Sequence, residues 1–215
     1  ELGVLTSESL VSFQRMVVGY LNLMRMNGAF EDRVFDEYTI GDGNEWMLSN
    51  DRNRWLPGLQ SGRNTPRFIA EHIGSGKQNF KFDSIASNKY VDWIAYCCSE
   101  VMVEESNFRA ISKFILEEAV KQQVISVVPS SVNYKVYGLN KNRVFITDEV
   151  VQMRCDKCGS VYAVSAENAE LWVGAPCQRS SCGGFLEEHE TNEINYYGRI
   201  YSAGDLARIN AREHT

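Results

Sequence analysis

The residues best placed to do chemistry are cysteines. Four of the six read Cys155-Asp-Lys-Cys158-Gly, an 18-residue spacer, then Cys177-Gln-Arg-Ser-Ser-Cys182-Gly-Gly. Tetrahedral Zn²⁺ takes four thiolates at about 2.3 Å, and a short turn between two cysteines points both at one ion. Gly159, Gly183 and Gly184 follow the second cysteine of each pair and supply the backbone freedom that such knuckles need. Two disulfides are the competing use of this spacing. The N-terminus carries no basic segment, apolar run and small-residue cleavage site, and two further cysteines stand apart, so a metal site in an intracellular, cytoplasmic setting is the expectation. The predicted cofactor is a structural Zn²⁺ on Cys155, Cys158, Cys177 and Cys182, because four thiolates leave no position for a catalytic water. His189 lies seven residues beyond Cys182 and is the nearest substitute donor. Cys97 and Cys98 sit in an apolar helical stretch and read as core.

Catalytic groups are not specified elsewhere. Gly74-Ser-Gly76-Lys77 has the ending of a phosphate-binding loop. It lacks the earlier glycine (Glu71 stands there) and the Ser or Thr after the lysine (Gln78). No strand-ending Asp-Glu box is present, since Asp148-Glu149 runs on into valines, and His72, His189 and His214 are scattered. The chain taken alone reads as a non-enzyme.

The elements that must position the cysteine pairs follow from periodicity. Residues 7–27 carry Leu10, Phe13, Val17, Tyr20, Leu21 and Met24 at helical spacing, ended by Asn27-Gly28. Val34–Ile40 and Trp46–Leu48 are candidate strands. Ile85–Cys98 is a second helix, and Asn107 to about Gln123 a third, with Phe108, Ile111, Ile115 and Ala119 as its buried stripe. Strands are expected at Ile125–Val128, Asn133–Leu139 and Val144–Thr147, the last two joined by a turn at Asn140–Arg143. Val161–Val164 and Leu171–Val173 supply short ribbon strands. Helix, helix and hairpin is the order of a winged helix. The predicted fold class is therefore α+β, in four parts: an N-terminal helical and extended region over 1–81, a winged-helix domain over 82–150, a zinc ribbon over 151–192, and a tail over 193–215.

With 215 residues, 44% hydrophobic and 23% charged, the composition is that of a globular chain. No apolar run approaches the roughly 18 residues of a membrane span. The net charge of −6 excludes a wholly cationic nucleic-acid binder but not a local basic face. Candidates for that face are Arg109, Lys113 and Lys121 on the third helix, Lys141 and Arg143 at the expected wing tip, and Arg63 and Arg67 in the loop-rich segment 51–81. Aromatics such as Trp55, Tyr134 or Tyr137 would stack on bases.

The cysteine pairs followed by Arg199-Ile-Tyr-Ser-Ala-Gly-Asp-Leu-Ala-Arg-Ile-Asn-Ala-Arg-Glu-His-Thr215 resemble a stretch of large prokaryotic superfamily 2 DEAD/DEAH-box helicases, several from phage-defence or DNA-repair systems. The resemblance covers roughly residues 150–215. It implies a cysteine-rich module just before the second RecA-like motor, with Cys155, Cys158, Cys177 and Cys182 as zinc ligands and His214-Thr215 opening a motor motif. On that reading the chain is a non-motor piece of a longer, ATP-dependent helicase, and 193–215 leads into the motor. Implied partners are single-stranded or forked DNA, the motors of the same parent chain, and defence or repair subunits.

Two functions from different classes fit these residues. One is a nucleic-acid-binding accessory region that guides or separates strands. The other is a protein-docking or structural module. They differ in whether Arg109, Lys113, Lys121, Lys141 and Arg143 form one free positive surface or are paired with carboxylates.

Overall fold

The computed structural model describes residues 7–44, 47–48, 65–71, 82–86, 88–98, 104, 107–131, 134–179 and 181–189. The fold is α+β, as expected. The first helix, α1 (Ser7–Met26), ends where the sequence places its stop. Gly28 is left-handed (φ +68°), and its N–H and that of Ala29 bond back to Arg25 and Met24 carbonyls. The buried stripe is rotated from the expected one. Met16, Tyr20, Leu23 and Met24 are buried, while Leu10 and Phe13 are exposed.

The expected strand at 34–40 is not formed. A two-residue strand, β1 (Phe30–Glu31), gives way to a 3-10 turn (Arg33–Phe35) and a short helix, α2 (Asp36–Ile40). The reason is local. The Asp32 side chain accepts the Val34 N–H at 3.0 Å and caps the turn, offering the backbone a closer partner than a ladder would.

The main sheet is built around β5 (Val136–Asn140). On one edge it pairs antiparallel with β4 (Ile125–Val127). On the other it takes β2 (Ile69–Ala70) antiparallel and β1 parallel, with β3 (Asp83–Ser84) beyond β2. Gly138 is required at the centre, since a Cβ there would lie 2.8 Å from the Phe68 ring. Helix α4 (Phe108–Lys121) and α1 pack on the sheet, and α3 (Asn88–Cys97) packs against both helices. On α4, Phe108 and Ile115 are buried as expected, and so are Ser112 and Leu116. Ser112 is tolerated there because its hydroxyl lies 2.6 Å from that of Tyr20 on α1.

Two expectations are corrected. The hairpin turn expected at 140–143 is a 3-10 turn (Lys141–Arg143) that leaves the sheet, and Val144–Thr147 is not a strand. The hairpin that forms is β4–β5. Asn140 explains the difference: its side chain accepts the Asn142 N–H at 3.0 Å and turns the chain outward. The boundary drawn at 81/82 runs through one sheet, because β1, β2 and β3–β5 pair across it.

The second sheet has order β7-β6-β8, from β6 (Val150–Cys155), β7 (Val161–Ser165) and β8 (Leu186–Glu188), all antiparallel. The strand expected at 171–173 is instead the end of a short helix, α5 (Ala169–Trp172). A 3-10 turn (Ala166–Asn168) runs straight into it, and Trp172 is buried against Trp93 with ring centroids 6.4 Å apart.

Trp93 also closes the crossing of α3 over α1. Its indole N–H donates to the Met16 carbonyl at 2.9 Å, and a Cβ on Gly19 would fall 1.9 Å from the ring. Gly19→Ala is therefore expected to destabilise the chain by about 1–3 kcal/mol through overpacking, with part recovered when Trp93→Leu is added. Urea unfolding of the single and double variants checks this; an unchanged midpoint for Gly19→Ala would show that the crossing is looser than described.

Candidate metal centre

Each cysteine pair is presented by a different turn of the small sheet. Cys155 ends β6 and Cys158 lies in the β6–β7 turn. Cys177 and Cys182 flank the loop that leads to β8. The turns bring Cys155 Sγ to 3.6 Å from Cys182 Sγ, and Cys158 Sγ to 3.7 Å from Cys177 Sγ. All four sulfurs lie within 4.8 Å of one another. The edge of a sulfur tetrahedron with metal–sulfur bonds of about 2.3 Å is about 3.8 Å, so the donor set fits one ion. The four cysteines are free thiols.

The backbone of both knuckles is built for this. Gly159 (φ +69°) and Gly183 (φ +62°) adopt the left-handed conformation directly after the second cysteine of each pair. Gly184 leaves no room for a side chain, because a Cβ would stand 2.6 Å from Cys155 Sγ. Asp156 ties the knuckles together by accepting the Phe185 N–H at 2.8 Å. Tyr162 places its hydroxyl 3.4 Å from Cys177 Sγ.

Proton affinities differ across the four thiols. The Ser160 hydroxyl and N–H hold the Cys158 thiol down at about 6. Burial pushes Cys177 up to about 12 and raises Cys182 as well. A metal ion must therefore displace protons from at least Cys177 and Cys182, and this links binding to pH and to folding. His189 is outside the cluster; its backbone N–H donates to the Gln152 carbonyl at 2.8 Å and lengthens the β6–β8 pairing. Cys97 and Cys98 are half-buried, and burial pushes the Cys97 thiol up to about 12 and raises Cys98, the opposite of an activated nucleophile.

Three residues that sequence reasoning missed join this centre to the rest of the chain. Gln178, next to Cys177, donates to the Gly19 carbonyl at 2.8 Å and accepts from Asn22 at 2.6 Å. Arg15 donates to the Leu171 and Val173 carbonyls at 2.8 and 3.0 Å, capping α5. Arg15 and Asn22 lie more than 150 positions from their partners, and no local pattern marks such a joint.

Several of the cationic candidates are paired with carboxylates. Lys113 lies 3.8 Å from Glu117, Lys121 2.6 Å from Glu118, and Lys141 2.7 Å from Asp32. Arg67 stands 3.6 Å from buried Asp83, which also receives Lys89 at 2.9 Å. Arg109 and Arg143 are exposed and have no ion pair among the described residues. Arg63 and Trp55 lie outside the described residues. Tyr137 is buried and donates to Glu71, so it is not free to stack on a base. Tyr134 is half-buried and donates to Asp42 at 3.0 Å.

Comparisons with family models, with curated proteins and with solved structures returned no match to this chain. Among the described residues, no helix is long and apolar enough to cross a membrane.

Replacing Cys155 and Cys158 by Ser is expected to abolish metal retention and unfold residues 150–189 while leaving the main sheet protected. Gly184→Ala is expected to weaken metal retention with all four thiols present. Elemental analysis and backbone hydrogen exchange read both. Full metal content in Gly184→Ala would show that Cys155 can move aside.

Proposed function

We propose that the chain is a protein-docking and structural accessory module, stiffened by a structural zinc ion and belonging to a superfamily 2 helicase. Three of the five cations that a strand-guiding surface would need lie against neighbouring carboxylates, and this observation carries the docking reading. Such exposed pairs stabilise little, but they cancel the local field that counterion release would draw on. The all-sulfur tetrahedral donor set favours zinc over harder cations, and free thiols held in reach of one another suit a reducing compartment such as the cytoplasm. The helicase parent rests on the resemblance of residues 150–215, of which 190–215 lie outside the described residues. On this reading the docking partner is a motor domain of the parent or a defence or repair subunit.

We read the order α1, β2, α3, α4, β4, β5 as a winged helix whose wing is the β4–β5 hairpin. The antiparallel order β2-β5-β4 supports this. The same order favours a second reading, strand guidance on DNA, for which Arg109 and Arg143 are the available contacts.

Fluorescence anisotropy of the whole chain with single-stranded, duplex and forked DNA at two salt concentrations separates the readings. Docking predicts no saturable, salt-sensitive binding. Binding that falls steeply with salt and disappears in Arg109→Glu/Arg143→Glu would replace docking with strand guidance. Metal identity is checked by elemental analysis of the purified chain, with zinc expected at one ion per chain and iron as the contrary result.

A further inference from the structure

We infer that the apolar groove between α1, the end of β5 and β7 takes an extended acidic segment of a partner protein, one that alternates large apolar residues with carboxylates. This rests on the docking reading and gives it a surface and a partner chemistry. The groove holds about 640 Å³, inside the range of about 300–1,000 Å³ typical of binding clefts. Val18 and Leu21 of α1, Leu139 of β5, Val164 of β7 and Trp172 of α5 line it, with Val144–Thr147 along one side.

Exposure is the first of three observations behind the assignment. Phe145 is 85% and Ile146 fully exposed, two large apolar side chains in sequence on the wall of an apolar groove. The backbone is the second. Neither Phe145 nor Ile146 makes a backbone hydrogen bond to the other described residues, and Val144 before them is extended (φ −105°, ψ 125°). Unpaired N–H and C=O groups on an extended segment are a template for an added strand. Charge is the third. In a chain of net charge −6, the groove is lined by Arg25 and Arg143 and by no Asp or Glu. Arg25 is held in place by two donations to the Asn22 side-chain oxygen at 2.9 and 2.8 Å, so its charge is not spent on a carboxylate.

Nucleic acid shares the negative charge. Branched aliphatic residues are the largest class in the lining, however, and among its aromatic residues only Phe145 is exposed as a platform that bases could stack on. A polypeptide uses the aliphatic wall and the open backbone together.

The test is anisotropy of the whole 215-residue chain with three labelled probes. These are a short peptide alternating Leu or Val with Glu, the same peptide with Lys in place of Glu, and an oligothymidylate. The variants are Phe145→Ser/Ile146→Ser and, separately, Arg143→Glu; both alter exposed side chains, and unchanged urea midpoints confirm that folding is intact. The acidic peptide is expected to bind, about tenfold more weakly in each variant, and the Lys peptide about tenfold more weakly to the unaltered chain. Absent binding of the acidic peptide, equal binding of the two peptides, or variants that bind as the parent does would overturn the groove assignment and leave the docking reading standing. Salt-sensitive oligothymidylate binding that Arg143→Glu removes would overturn both.

Discussion

Helix α1 is packed on two sides, and the remaining architecture depends on that. One side gives Met16, Tyr20, Leu23 and Met24 to the core shared with α3, α4 and the main sheet. The other gives Arg15, Asn22 and the Gly19 carbonyl to the cysteine-bearing sheet. Gly19 serves both, since the missing side chain admits Trp93 and the carbonyl accepts from Gln178. The two sheets are thereby fixed to a common wall, and the groove between them keeps its shape without being filled.

Electrostatics act locally within this frame. The chain is acidic overall, yet Asp32, Glu117 and Glu118 each lie beside a lysine, and buried Asp83 is met by Lys89 and Arg67. The pairing with Lys141 and the Val34 amide holds the Asp32 carboxyl below its ordinary range. The pair is exposed, so its contribution to stability is small; it is present above the ordinary carboxylate range and fades as pH falls through the lowered value. What such pairs change is the surface potential. Among the described residues they leave positive charge without an ion pair on Lys157 and a few arginines, two of which border the groove.

The four-cysteine cluster was legible because its members form local pairs. Cys155 and Cys158, then Cys177 and Cys182, need only turn geometry to face one another, and the glycines that permit those turns stand beside them. Helices α1, α3 and α4 were legible from apolar spacing, though not the face of α1, which depends on what packs around it. The pairing of β5 with β1 and β2 was not legible, because two-residue strands carry no periodicity. Asp32 and Asn140 redirected the chain at 33–40 and 140–147 through single side-chain hydrogen bonds, which outweighed the β-branched composition of Val34–Ile40 and Val144–Thr147. The Gln178 joint is a long-range pairing that leaves no local trace.

The central position of β5 has a consequence for how the chain comes into being. Residues 27–31 and 65–71 bond along one edge of a strand that begins at Val136. On the ribosome they must wait, with their N–H and C=O groups open, until residues 136–140 have followed them out. The last cysteine of the cluster emerges later still, so the four thiols come together after the main sheet has its central strand. Contacts of such long sequence separation slow folding and lengthen the time that apolar segments stay uncovered. The main sheet closes around its central strand, and α1 has both faces covered only once the later cysteine-bearing sheet has formed.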